Sequence, residues 1–153
     1  MTEGANVAGV TEEWLATAVV KESAEAIVVT DPAGIIRLWN EGAARMFGYP
    51  VEEAIGQNLD IIIPEKLRDR HWKGYFQTMA TGYTRYGDKL LSVPATHRDG
   101  QRLSIEFSVA LLRDSADQIV GISAIMREVS ERRNAERELR AKISELERRV
   151  GPA

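Results

Sequence analysis

The sequence predicts an α+β domain in which helices cover one face of an antiparallel sheet and a further helix stands at each end. Three patterns carry that expectation. Between Arg102 and Leu112, Leu103, Ile105, Phe107, Val109 and Leu111 share one face while Ser104, Glu106 and Ser108 take the other, as in a strand with one buried side. Short β-branched runs, punctuated by the turns Asp31-Pro32-Ala33-Gly34 and Arg98-Asp99-Gly100-Gln101, lie on both sides of a helical stretch. That stretch, Pro64 to Thr81, switches to a 3.6-residue period and places Leu67, His71, Trp72, Tyr75, Phe76 and Met79 on one half of a helix.

In chain order, Thr11 to Ser23 opens on a plausible N-cap with two glutamates in the first turn and repeats apolar residues at helical spacing. Ala26 to Thr30 and Ile35 to Trp39 form a hairpin about the Asp-Pro-Ala-Gly turn. Asn40 caps a short helix ended by Gly48, and Pro50 to Ile55 adds another helical turn before Gly56. After the long helix and its stop at Gly82, strands are expected over Lys89 to Pro94, Arg102 to Leu112 and Ile119 to Arg127, the last with Val120, Ile122, Ala124 and Met126 in one row. From Val129 to Val150 the chain is a charged helix. Val129, Leu139, Ile143, Leu146 and Val150 fall at a and d steps, interrupted by Arg132 and Glu136, and Glu128 with Arg132, Glu136 with Arg140, Glu138 with Lys142 and Glu145 with Arg149 are i,i+4 pairs. A parallel two-stranded coiled coil is expected there, with a single charged helix as the alternative. Gly151-Pro152 ends it.

Composition narrows the function. At 153 residues, 44% apolar, 28% charged and net charge −3, the chain suits one domain with helical appendages and has no electrostatic pull toward nucleic acid. No apolar run approaches the roughly 20 residues that cross a bilayer, and the acidic N-terminus lacks a signal region, so a cytoplasmic location without membrane contact is expected. With no cysteine, disulfides, thiolate nucleophiles and thiolate metal sites are excluded. No enzyme site emerges. His97 belongs to a turn, where a solvated role is expected, and neither a glycine-rich phosphate loop nor an Asp-Phe-Gly motif accompanies its His-Arg-Asp string. His71 is different. On an apolar helix face an imidazole must be hydrogen-bonded, kept neutral at some desolvation cost, or bound to something such as a metal.

From about Ser23 to Arg132 these residues resemble a PAS domain, through AIVVTDPAGIIRLWNEGAARMFGY, EEAIGQNL, the His-bearing helix, the strand pair about the Asp-Gly turn, and MREVSERR. The resemblance implies a five-stranded antiparallel sheet whose concave face and long helix enclose a ligand pocket. It also divides the chain into a tail with a cap helix over 1–22, a sensor domain over 23–128 and a signalling helix over 129–153. Within the family, IIPEKLRDRHWKGYFQTMATG is most similar to haem-binding oxygen-sensor PAS domains of the FixL type. That similarity implies His71 as the iron ligand of haem b, with Leu67, Tyr75, Leu91, Ile105, Phe107 and Met126 around the cofactor and Arg85 within reach of a propionate.

Two departures qualify the match. Leu91 stands where the oxygen sensors carry an arginine for bound oxygen, and Gln77 where they carry a propionate-pairing arginine. Leucine donates no hydrogen bond, so carbon monoxide, nitric oxide or a redox change is expected as the signal, with Met126, or less readily Lys89, as a sixth ligand. Two alternatives remain: FAD, bound near Trp39 and Asn40 as in some redox-sensing PAS domains, or no cofactor in a dimerisation module. The implied partners are a second copy, joined through the N- and C-terminal helices, and a downstream effector module or partner protein. A histidine phosphoacceptor is absent from the C-terminal helix.

Overall fold

Local signals fix most of the elements in the computed structural model, which describes residues 9–84 and 89–151. The proposed Arg85 therefore lies outside the described residues, as do the first eight residues and Pro152. Thr11 caps helix α1 (Glu12–Glu22) by accepting from the Trp14 N–H at 3.1 Å. Strands β1 (Ala26–Thr30) and β2 (Ile36–Trp39) follow, then α2 (Glu41–Phe47) and α3 (Val51–Ala54). Gly48 closes α2 at φ +82°, a left-handed backbone that a side chain would strain. Two 3-10 turns (Leu59–Ile62 and Glu65–Leu67) lead into α4 (Arg68–Thr81), so the first residues expected in the long helix belong to a separate, tighter turn. Then come β3 (Leu91–Thr96), β4 (Arg102–Arg113), β5 (Ile119–Glu128) and α5 (Ser130–Val150).

The strands form one antiparallel sheet in the order β2-β1-β5-β4-β3, so the first and last strands of the chain's two halves meet at its centre. Ala26, Val28, Trp39, Leu103, Ile105 and Met126 on its inner face join Ala43, Phe47, Ala54, Leu59 and Ile62 from the short helices and turns to make the core. Helices on one face of a five-stranded sheet are the α+β arrangement that the sequence implied. Because Ala26 pairs with Met126, α1 and α5 both depart from the same end of the sheet. Among the described residues, no helix is long and apolar enough to cross a membrane.

Several details differ from expectation. Lys89 lies exposed before β3, which starts two residues later and runs on to Thr96. A register shift beside Leu112 and Arg113 leaves Val120 exposed, so it does not continue the inner row of Ile122, Ala124 and Met126. Phe76 stacks on Trp72 at 5.6 Å but stays half-exposed on the helix flank. His97 is less free than a solvated turn residue: a Cβ on Gly48 would come within 2.6 Å of its ring, and its Nδ1 accepts from the Asp99 N–H at 3.1 Å. Val129 is buried against its own domain and hands its N–H to the Ser104 carbonyl at 2.8 Å. It is therefore unavailable to a coiled-coil seam. Arg132 turns away from Glu128, which ends β5 rather than starting the helix, and pairs with Glu106 on β4.

Candidate functional site

Helix α4 sets three rings side by side. Tyr75 is buried, and its hydroxyl meets Thr30 Oγ1 at 2.9 Å and the Asp31 carbonyl, which ties the helix to the end of β1. Burial pushes the Tyr75 phenol up, against the smaller opposing effect of the Thr30 bond, so the proton that Asp31 receives stays in place. Trp72 donates from Nε1 to Asp60 Oδ1 at 2.6 Å and covers Gly34 so closely that a Cβ there would lie 2.3 Å from its ring. His71 stands edge-on to Trp72 at 4.6 Å and is tilted against Tyr75 at 5.9 Å. Packing on one side thus fixes the imidazole.

Its chemistry follows from burial. His71 Nδ1 is buried and has no hydrogen-bond partner among the described residues. Burial lowers the pKa of the ring below the ordinary imidazole value, with the Asp60 carboxylate opposing, so the ring is neutral at pH 7. A neutral imidazole offers one lone pair and one N–H. Such a group is a metal ligand in waiting or a net cost to the fold. Among the described residues no cluster of three or more His, Asp or Glu side chains could complete the coordination of a bare ion. Only a metal that brings other ligands with it suits a lone histidine.

The sheet supplies an apolar wall. Leu91, Phe107, Met126 and Ala26 are successive cross-strand partners, forming one row over β3, β4, β5 and β1. Met126 and Ile105 are buried, whereas Leu91 and Phe107 are only half-buried and Val93, on the same face, is 37% exposed. Leu67 sits half-buried in the turn before α4 and packs on the core with Trp72 and Phe107.

Other polar groups are committed elsewhere. Asn40, expected as a helix cap and as a residue near a flavin, accepts from Ile27 N–H and Ala43 N–H, both at 2.9 Å, and donates to the Val20 and Glu25 carbonyls at 2.8 and 3.0 Å. All four positions of its amide are filled. Trp39 donates to the Tyr49 carbonyl at 3.0 Å and packs on Phe47 at 5.5 Å. Sequence reasoning did not find Thr30, Gly34 or Asp60 as the partners that orient Tyr75 and Trp72. Their pairings span 45, 38 and 12 residues, and no local pattern announces them.

The comparisons agree with this architecture. A PAS domain from a Colwellia psychrerythraea protein superimposes with a TM-score of 0.68 at 24% identity, covering 78% of this chain and 98% of that one. At 29% identity over 122 residues the chain is similar to the sensor protein FixL of Bradyrhizobium diazoefficiens, covering 80% of this chain and 24% of that protein. It is 30% identical over 95 residues to the oxygen sensor protein DosP of Escherichia coli, covering 62% and 12%. An uncharacterised protein of Azorhizobium caulinodans is 32% identical over 132 residues, 86% of this chain and 18% of that protein. The chain spans a quarter or less of the curated relatives that it matches. With the family model of the PAS fold matching residues 17–129 and the five strands in place, the chain belongs to the PAS family and is a PAS sensor domain related to the FixL and DosP sensors.

Proposed function

We propose that this PAS domain holds haem b through His71 and reports a diatomic gas or a redox change at the iron through α5. The buried, neutral imidazole nitrogen, without a partner among the described residues, carries the reading. Leu67, Tyr75, Leu91, Ile105, Phe107 and Met126 would surround the macrocycle, and Arg85 would serve a propionate. When bound, haem supplies an iron centre able to take a diatomic ligand. His71 would hold that centre in its neutral form. Leu91 and Phe107 would present apolar side chains to a bound gas, and Leu91 would give it no hydrogen bond, which would favour carbon monoxide or nitric oxide over oxygen. The Met126 thioether is the soft donor of the row and the candidate sixth ligand.

The route outward runs along β4 and β5. Ile105 and Phe107 face the wall, while Glu106 between them points to the other face and holds Arg132 of α5. Ser130 Oγ also accepts from the Ser104 N–H at 3.1 Å, so the first turn of α5 is fastened to β4 beside the wall. A shift of β4 thus reaches the helix, and a change of a few kcal/mol between two helix settings is enough to switch a downstream partner. For the flavin alternative, suggested by Trp39 and Asn40, Asn40 has its amide fully used within the fold and the Trp39 indole N–H is held by the Tyr49 carbonyl. The cofactor-free dimerisation module draws its support from exposed apolar residues on α5.

The test is hemin titration of the purified protein and of His71→Ala, followed in the visible spectrum. A Soret band that saturates at one equivalent in the wild type and collapses in the variant supports the assignment. A wild type that takes up no hemin, or a variant with an unchanged band, refutes it.

A further inference from the structure

Five charged side chains form a row across the outer face of the sheet, from the junction after α1 to the start of α5. Glu25, between α1 and β1, takes the Arg127 guanidinium of β5, with Nε donating to Oε1 at 2.7 Å. Arg127 is the direct cross-strand partner of Glu106 on β4. Side chains so paired have Cβ atoms about 5 Å apart, within reach of one another. Glu106 holds Arg132 of α5, and Arg132 also lies 3.8 Å from Glu136 one helical turn on. The charges thus alternate in sign along the whole row. Arg127, Glu106 and Arg132 each stand between two groups of opposite charge.

We infer that this row is a partner-exchange relay that couples the hold on α1 to the hold on α5. In the structure Arg127 is engaged by Glu25, which leaves Glu106 free to retain Arg132. When the junction moves so that Glu25 withdraws, Arg127 turns to Glu106, the carboxylate beside it, and Arg132 falls back on Glu136 within its own helix. The sheet then loosens its grip on both helices together. A tilt of α1 reaches Glu25 because one amide group carries both: Asn40 Nδ2 donates to the Val20 carbonyl in the last turn of α1 at 2.8 Å and to the Glu25 carbonyl at 3.0 Å.

The two settings are closely balanced. Each holds two ion pairs of this row, Glu25 with Arg127 and Glu106 with Arg132 in one, Arg127 with Glu106 and Arg132 with Glu136 in the other. The guanidiniums of Arg127 and Arg132 are 67% and 51% exposed, so every pair is individually weak and a small displacement of either helix is enough to bias the exchange. The start of α5 keeps a second fastening on β4, through Ser130 Oγ to the Ser104 N–H and the Val129 N–H to the Ser104 carbonyl. Exchange therefore loosens the helix without detaching it. The inference rests on the outer face of the sheet and holds with or without haem.

Amide hydrogen exchange by NMR on the full chain reads both ends of the row. The Arg133 N–H, bonded to the Val129 carbonyl at 2.9 Å, reports the start of α5, and the Ser23 N–H, bonded to the Val19 carbonyl at 3.1 Å, reports the end of α1. Glu25→Gln should quicken exchange at Arg133 about threefold, because the freed Arg127 competes for Glu106. Arg127→Gln should quicken exchange at Ser23 but not at Arg133, because the competitor is gone. In that background Glu25→Gln should have no effect on Arg133. By reciprocity, Arg132→Gln should quicken exchange at Ser23. In 1 M salt, where the screening length is about 3 Å, Glu25→Gln and wild type should converge. The inference is overturned if Glu25→Gln leaves Arg133 unchanged, if Arg127→Gln quickens Arg133 as Glu25→Gln does, or if Glu25→Gln acts equally in both backgrounds. Arg37→Gln is the control, since it breaks the pair with Asp31 outside this row. An equal effect of that variant on Arg133 also overturns the relay. None of the substituted side chains belongs to the core.

Discussion

Replacing His71 with leucine reverses the sign of its effect on stability according to whether haem is present. In the haem-free chain the buried Nδ1 has no partner among the described residues, and such a group costs about 1–3 kcal/mol. Leucine removes that cost and loses the edge contact with Trp72, worth about 0.5–1.5 kcal/mol. The net gain is about 1 kcal/mol, or a rise in Tm of about 2–4 °C for a chain of this size. The difference between the two proteins also depends on pH in a fixed direction. Burial depresses the folded pKa of His71, so its neutral form belongs to the folded state. Above about pH 6.5, the ordinary imidazole value, the contribution is level. As pH falls from there toward the lower folded value, the unfolded chain takes up a proton that the folded chain refuses, and wild type loses ground to the variant. With hemin at 100 times its Kd, the wild type gains about 2.7 kcal/mol and the variant little. Urea unfolding at pH 7.5 and 5.5, with and without hemin, reads all of this. A haem-free leucine variant less stable than wild type at both pH values, or one whose gap to wild type is flat with pH, refutes the account of the ring.

Three further perturbations probe the scaffold around the ring. Asn40→Asp keeps the acceptor but sets a carboxylate against the Val20 and Glu25 carbonyls, and should cost about 3–5 kcal/mol in urea unfolding; a loss below 1 kcal/mol would mean that the hub is dispensable. Gly34→Ala combines a φ of +85° with a Cβ 2.3 Å from Trp72, so the indole must leave its seat. A loss of about 2–4 kcal/mol and a shift in tryptophan fluorescence are expected, whereas an unchanged spectrum would show that the backbone moved instead. Arg132→Ala removes an exposed pair with Glu106, so equilibrium stability should change by no more than about 0.5 kcal/mol. Hydrogen exchange in the first turn of α5 should nevertheless quicken, and protection there should stop responding to hemin; a response equal to that of wild type would place the relay elsewhere.

Sequence alone determined the elements and their order, because the signals for them are local. Thr11 and Asn40 cap helices within three residues of themselves, Gly48 and Gly82 end helices in the left-handed region, and the alternation from Leu103 to Leu111 marks a strand with one buried face. His71 stood out for the same reason, an ionisable group out of place in a periodic pattern. What only the tertiary structure decided are pairings between residues far apart in the chain. Tyr75 reaching Thr30, Trp72 covering Gly34, and Asn40 bridging four backbone groups depend on how the hairpin docks on α4 and α1, which no period encodes. The end of the helix seam is the same kind of fact. Val129 fits an a position by spacing, yet the sheet buries it first, because a side chain enclosed in its own core cannot also serve a partner.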